Sequence, residues 1–177
     1  IDIVYSNYKH FYQRKNLTEE YSFRDVSKNP LDEFLFHWDR GVSIPPHAPL
    51  FRRNIWIKDE LPYPDDYNER YEDWIFWVLM SLKNKKFARI NEPLAVYRIH
   101  STNFCNDLIN ISINRINAAS YIKKIIPGNI KDKFWRETVS FIMDSYYNER
   151  LNEDLKENYI LKLNRNRFSY LRPLAKI

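Results

Sequence analysis

Between Tyr71 and Leu82 apolar residues follow one another almost without a break: Trp74, Ile75, Phe76, Trp77, Val78, Leu79 and Met80 stand in one run. Tyr71, Trp74, Ile75, Val78, Leu79 and Leu82 fall on helical spacing and make one stripe, while Phe76, Trp77 and Met80 cover the other sides. The pattern predicts a helix that begins near Asn68, ends at Asn84 and is buried nearly all round. A helix of that kind needs neighbours on every side. The 177 residues can supply them within one domain, and a 16% share of Tyr, Phe and Trp favours a packed core over disorder.

The segments around this helix read as a mixed α/β portion followed by helices. Ile1–Ser6 alternates and is rich in β-branched residues, as a strand is. Gln13 to Asn29 is polar and without period, a loop or a variable hairpin. Pro30–Trp38 reads as a short helix stopped by Gly41. Ser43–His47 is a Pro-stiffened extended approach, and Ala48–Arg53 a short strand whose Pro49 suits an edge or irregular position. Phe87–Ile90 and Leu94–Tyr97 read as two strands joined by a turn at Asn91-Glu92-Pro93. From Asp107 onward three helices are expected: Leu108 to Ile126 (ended by Pro127-Gly128), one marked by Phe134 to Ser145, and a weaker one from Leu151 to about Leu163.

Composition removes several classes of function. Two glycines cannot build a Gly-rich phosphate loop. The one cysteine, Cys105, excludes an intramolecular disulfide and a cysteine-based zinc site. No run approaches the roughly 20 apolar residues of a membrane span, and the first residues lack the features of a signal peptide. The expectation is a cytoplasmic domain. The chain opens on Ile1, which suggests a piece of a longer protein or a processed product. Its formal charge of +5 suits anionic partners without choosing among them. Lys162, Arg165, Arg167, Arg172 and Lys176 crowd the end as a solvated basic tail, or as a peripheral contact with the inner face of a membrane. No nucleic-acid recognition motif accompanies them.

The chemistry-bearing residues cluster in three places. Glu72 and Asp73 open the apolar helix, where unpaired backbone N–H groups and the helix dipole stabilise a carboxylate. An ionised carboxylate facing a pocket is a general base, although acidic residues favour helix starts for structural reasons alone. Arg98 and His100 follow the last strand; the first suits phosphate oxygens and the second a metal ion. His47 is held by Pro45-Pro46 and followed by Arg52 and Arg53, a set able to line a sugar or acceptor pocket. Trp38, Trp56, Trp74 and Trp77 offer flat apolar faces for a sugar ring, with core packing the stronger reading for Trp74 and Trp77.

In this order and at these intervals, the residues resemble the family 2 glycosyltransferases, which are inverting enzymes of GT-A fold. Ile3–Ser6 is similar to the strand after the family's Asp-x-Asp segment, and Ser43–His47 through Leu50–Arg53 to the approach to the acceptor side. Tyr71-Glu72-Asp73-Trp74 is similar to the Glu-Asp motif of the acceptor-side helix. Asn91–Leu94 and Tyr97–Ser101 are similar to the Pro-Leu…Tyr-Arg-x-His segment. The resemblance implies an α/β fold with a partial GT-A-like mixed sheet over residues 1–106, and a helical extension over 107–177. It implies Asp73 as the base that deprotonates an acceptor hydroxyl and Glu72 as a residue that positions the acceptor. His47, Arg52, Arg53, Trp74 and Arg98 would bind substrate, and His100 would be a metal ligand.

The partners implied are a nucleotide-sugar donor, a glycan or lipid-linked acceptor, as in surface polysaccharide assembly, and Mg²⁺ or Mn²⁺. The family's nucleotide-binding half and its Asp-x-Asp are absent from this chain; Asp2 and Asp65-Asp66 do not replace them. The chain alone is therefore expected to be inactive, and a strand edge left open by an absent half is expected to support a homodimer. The rival reading is a non-catalytic glycan- or protein-binding module on the same scaffold.

Overall fold

The computed structural model describes residues 1–55, 70–100 and 108–148. The chain has a mixed α/β fold, and the apolar helix α2 (Glu72–Leu82) lies at its centre, with Trp74 through Val78 all buried. Trp77 faces a sheet: its ring stacks on Phe51 at 5.8 Å and meets Phe87 edge-on at 6.1 Å. Trp74, about one turn earlier, packs against Trp38 at 5.9 Å and Phe134 at 5.9 Å. Each buried indole N–H has an acceptor: Trp74 donates to the Phe34 carbonyl at 2.6 Å and Trp77 to that of Ile44 at 3.0 Å. The two rings bury several hundred Å² of apolar surface with no unpaired N–H, which makes α2 the anchor of the fold.

The sheet has four strands. Its middle strand is β1 (Ile3–Tyr12), longer than the alternation at Ile1–Ser6 suggested. On one side β1 pairs antiparallel with β2 (Leu17–Tyr21) along Tyr8–Tyr12 and with β3 (Pro49–Phe51) along Ile3–Tyr5. On the other side it pairs in parallel with β4 (Phe87–Ile99) over its whole length. The strand that opens the chain is thus flanked on both edges, and among the described strands β4 is paired with β1.

The turn expected at Asn91–Pro93 is instead a bulge inside one continuous strand. The register slips beside Ser6, Asn7 and Tyr8, and the Asn7 side chain fills the irregularity by donating to the Asn91 carbonyl. Pro93, which lacks an N–H, is tolerated because it sits in the bulge of an edge strand.

The polar stretch after β1 is the hairpin alternative, with Asn16 in the left-handed turn (φ 47°). After β2 the chain runs extended and is pinned by side chains in place of a ladder. Asn7 accepts the Phe23 N–H at 3.1 Å, and Arg89 donates to the Phe23 carbonyl. The Tyr5 hydroxyl accepts the Val26 N–H at 3.0 Å and donates to the Arg24 carbonyl at 3.3 Å. Burial pushes that phenol up to about 12.

Helix α1 (Pro30–Phe36) starts on Pro, which needs no N–H there. It gives way to a wide turn over Trp38–Val42 in which Gly41 takes φ 88°, a conformation that suits glycine. Beyond residue 107 the chain is helical as expected, in α3 (Leu108–Ile125) and α4 (Lys131–Asn148). Ile116, Ala119, Ile122 and Phe134 from these helices belong to the same buried cluster as Trp74 and Ile3. Sheet, α2 and the later helices therefore share one core. The third expected helix and the basic tail lie outside the described residues. No described helix is long and apolar enough to cross a membrane.

Candidate functional site

At the N-terminal end of α2 the structure opens into a cleft of about 460 Å³. Glu72 and Asp73 form one wall, with Tyr71 and Arg70 beside them. Tyr8 and His10 of β1 and Tyr97 of β4 make up the floor, and Trp38, Pro45 and Pro46 stand opposite. The volume lies in the range of small-ligand sites, and the mixture of flat rings with a few polar groups is typical of them.

The floor follows from strand pairing. Tyr8, His10 and Tyr12 alternate onto one face of β1, and the parallel register sets His10 beside Tyr97. The rings touch as a cluster: Tyr8–His10 at 4.9 Å, His10–Tyr97 at 5.8 Å and Tyr8–Tyr21 at 4.9 Å. Burial lowers the pKa of His10, with the carboxylate of Glu19 pulling weakly the other way, so its imidazole is neutral at pH 7. His47 stacks on Tyr97 at 5.7 Å and 22° and is likewise lowered by burial.

The wall is built on a strained turn. Tyr71 sits at φ 72°, ψ 23°, a left-handed conformation that costs a non-glycine residue about 1–2 kcal/mol. It redirects the chain so that α2 begins with its two carboxylates at the cleft. Asp73 is half-buried, and one of its oxygens accepts the Trp74 N–H at 2.8 Å. Burial pushes its carboxyl up to about 6; the Glu72 charge adds to this, while the bonds to backbone N–H groups oppose it. The helix start does not hold the carboxylate low, as its position alone suggested, because desolvation outweighs the N–H donors. A carboxyl near 6 is mostly ionised at pH 7 yet basic enough to take up a proton.

The other expected site residues divide. His47 is exposed and stacks on Tyr97 but is not among the cleft-lining residues described. Trp74 is fully buried with its N–H committed to Phe34, so its rings are core and present no face to a sugar. Arg52 is exposed and donates through Nε and Nη2 to the Ile1 carbonyl at 3.0 and 2.9 Å, which ties β3 to the start of the sheet. Arg53 is exposed and is not among the cleft-lining residues described. Arg98 neighbours Tyr97 along β4 and therefore projects from the opposite face of the sheet, away from the cleft floor. His100 follows the end of β4 and is not among the lining residues described. Trp56, Asp65, Asp66 and Cys105 lie outside the described residues.

Among the described residues no three His, Cys, Asp or Glu side chains converge where one metal ion could bind them. The residues that sequence reasoning missed are Tyr8 and His10. Their i, i+2 spacing was the available signal, hidden because the strand was ended at Ser6. No family model, curated protein or solved structure matches this chain.

Proposed function

We propose that this chain is the acceptor-side portion of an inverting GT-A glycosyltransferase, with Asp73 as the general base. The observation that carries the reading is the half-buried Asp73, pushed up to about 6, on the wall of a cleft floored by Tyr8, His10 and Tyr97. The aromatic floor offers ring faces of the kind that sugars stack on. Asp73 accepts the proton of an acceptor hydroxyl. That oxygen forms a bond to the anomeric carbon of the donor sugar as the carbon–oxygen bond to the diphosphate breaks. The nucleoside diphosphate leaves with the electron pair, and the configuration inverts. Glu72, exposed at the rim, orients acceptor hydroxyls, and neutral His10 is placed to exchange hydrogen bonds with them.

The test is sugar transfer by the longer protein that carries this chain with a nucleotide-binding half. Wild type is compared with Asp73→Asn over a panel of sugar nucleotides with Mn²⁺. Loss of about 10³-fold or more in kcat, with donor binding kept, is expected for a missing base. Turnover that survives the substitution removes Asp73 from catalysis. Glycan binding without turnover in either protein favours the binding module.

A further inference from the structure

The chain is basic as a whole, with a formal charge of +5, yet its cleft is not. Among the described lining residues one cation, Arg70, stands against two carboxylates, Glu72 and Asp73. Arg70 is exposed and already engaged with a neighbour. His10 adds no charge, because burial keeps its imidazole neutral at pH 7. Much of the remaining lining is rings and prolines. A cleft with an excess of one charge between such walls concentrates ions of the opposite sign. The cleft therefore draws cations into a molecule that draws anions elsewhere.

The start of α2 does not reverse this. A bare helix N-terminus attracts anions, but α2 supplies its own: Asp73 accepts the Trp74 N–H at 2.8 Å. Asp73 is half-buried, and the groups that lower its carboxyl are backbone N–H donors, with no described cation among them. A desolvated carboxylate is ordinarily held by a cation, and the room for one here is the cleft. Glu72 and Asp73 are consecutive, with Cα atoms ~3.8 Å apart, and both line the cleft. Substituents on neighbouring carbons of one small ring can therefore meet them together. Tyr71 and Tyr97, half-buried in the same lining, offer ring electrons to an ammonium group.

We propose that the acceptor taken by this cleft is a sugar with a free amino group beside its reacting hydroxyl, the ammonium held at Glu72 and the hydroxyl at Asp73. The inference rests on reading the cleft as the acceptor site of a sugar transfer. The ammonium pairs with Glu72 at the exposed rim, close to the rings of Tyr71 and Tyr97. The hydroxyl on the adjacent carbon reaches the half-buried Asp73, which takes its proton as that oxygen bonds to the donor's anomeric carbon. Acetylation of the amine removes the charge and the attraction with it. A carboxylate or phosphate in the same place meets two like charges. The cleft thus selects an amino sugar over its neutral, acetylated and acidic relatives.

Calorimetric titration of this chain at about pH 6.5 and low salt tests it, with the methyl glycosides of glucosamine, N-acetylglucosamine, glucose and glucuronic acid as probes. The glucosamine glycoside should bind about tenfold tighter than the glucoside, and the other two no tighter than the glucoside. Glu72→Gln should cut the amine's advantage to about threefold or less and leave glucoside binding within about twofold. Raising the salt to roughly 300 mM should shrink the same advantage. Equal binding of glucosamine and glucose glycosides overturns the proposal, as does a preference for the glucuronide or an advantage untouched by Glu72→Gln. Cyclohexylamine, a ring amine without hydroxyls, separates two kinds of failure. If it binds as tightly as the amino sugar, the sugar is not what the cleft recognises, and the transferase reading falls with the proposal. If the neutral glycosides bind and the amine adds nothing, the amino-sugar proposal falls and the transferase reading stands.

Discussion

The core around α2 and the cleft at its N-terminus are built from the same kind of residue, yet they are finished differently. In the core, Trp74 and Trp77 are fully buried, and each polar edge ends on a backbone carbonyl. At the cleft, Tyr97 packs ring to ring with His10 and with His47 outside the lining, all half-buried or exposed, near a carboxyl lifted by partial burial. An abundance of aromatic residues therefore says little about function by itself. What separates these two sets of rings is how completely they are buried.

The largest expected break in that contrast is Trp74→Ala. It should cost about 3–5 kcal/mol of unfolding free energy, since it opens a cavity between Trp38 and Phe134 and strands the Phe34 carbonyl. Urea titration would read this; a loss below about 1 kcal/mol would mean the ring is not core. Tyr5→Phe comes next, at about 1–3 kcal/mol, because it leaves the Val26 N–H and the Arg24 carbonyl without their shared hydroxyl.

Asp73→Asn should behave in the opposite sense. The folded carboxyl titrates near 6, above the ordinary 3.8, so between those values the folded chain keeps a proton that the unfolded chain has lost. Stability falls as pH rises through that window, and the penalty is complete above it. The variant should be more stable than wild type by on the order of 2 kcal/mol at pH 7 and equal to it near pH 3.5. Equal gains at both pH values would show that charge is not the cause. The smallest change in stability, about 1 kcal/mol, is expected for Tyr97→Ala, which removes a half-buried cleft ring from the margin of the core. Glycan binding measured by calorimetry should weaken at least tenfold in that variant. Unchanged binding would separate the floor from recognition.

The elements most legible in the sequence were those whose signal is local. The period of Tyr71–Leu82 marked a helix apolar on every side, and Pro49 marked an irregular edge strand. The acidic pair was placed at a helix start, where it is found. Features that depend on distant pairing were not legible. Nothing near Asn91 announces that the Asn7 side chain fills a bulge there, so a single strand read as two. Nothing near Phe23 announces that Asn7, Arg89 and Tyr5 hold that stretch in place of a ladder. Arg98 shares a motif with Tyr97, but strand alternation sends the two to opposite faces.

Because α2 is enclosed between the sheet and the later helices, water reaches it at its tips: Glu72 at one end, Lys83 and Asn84 beyond the other. Such a helix can diversify at those tips while its middle is held constant by everything packed around it. Descendants of this scaffold that acquire new chemistry are expected to differ at Glu72 and Asp73 and keep the tryptophans, so that a new activity and an unchanged architecture are inherited along the same eleven residues.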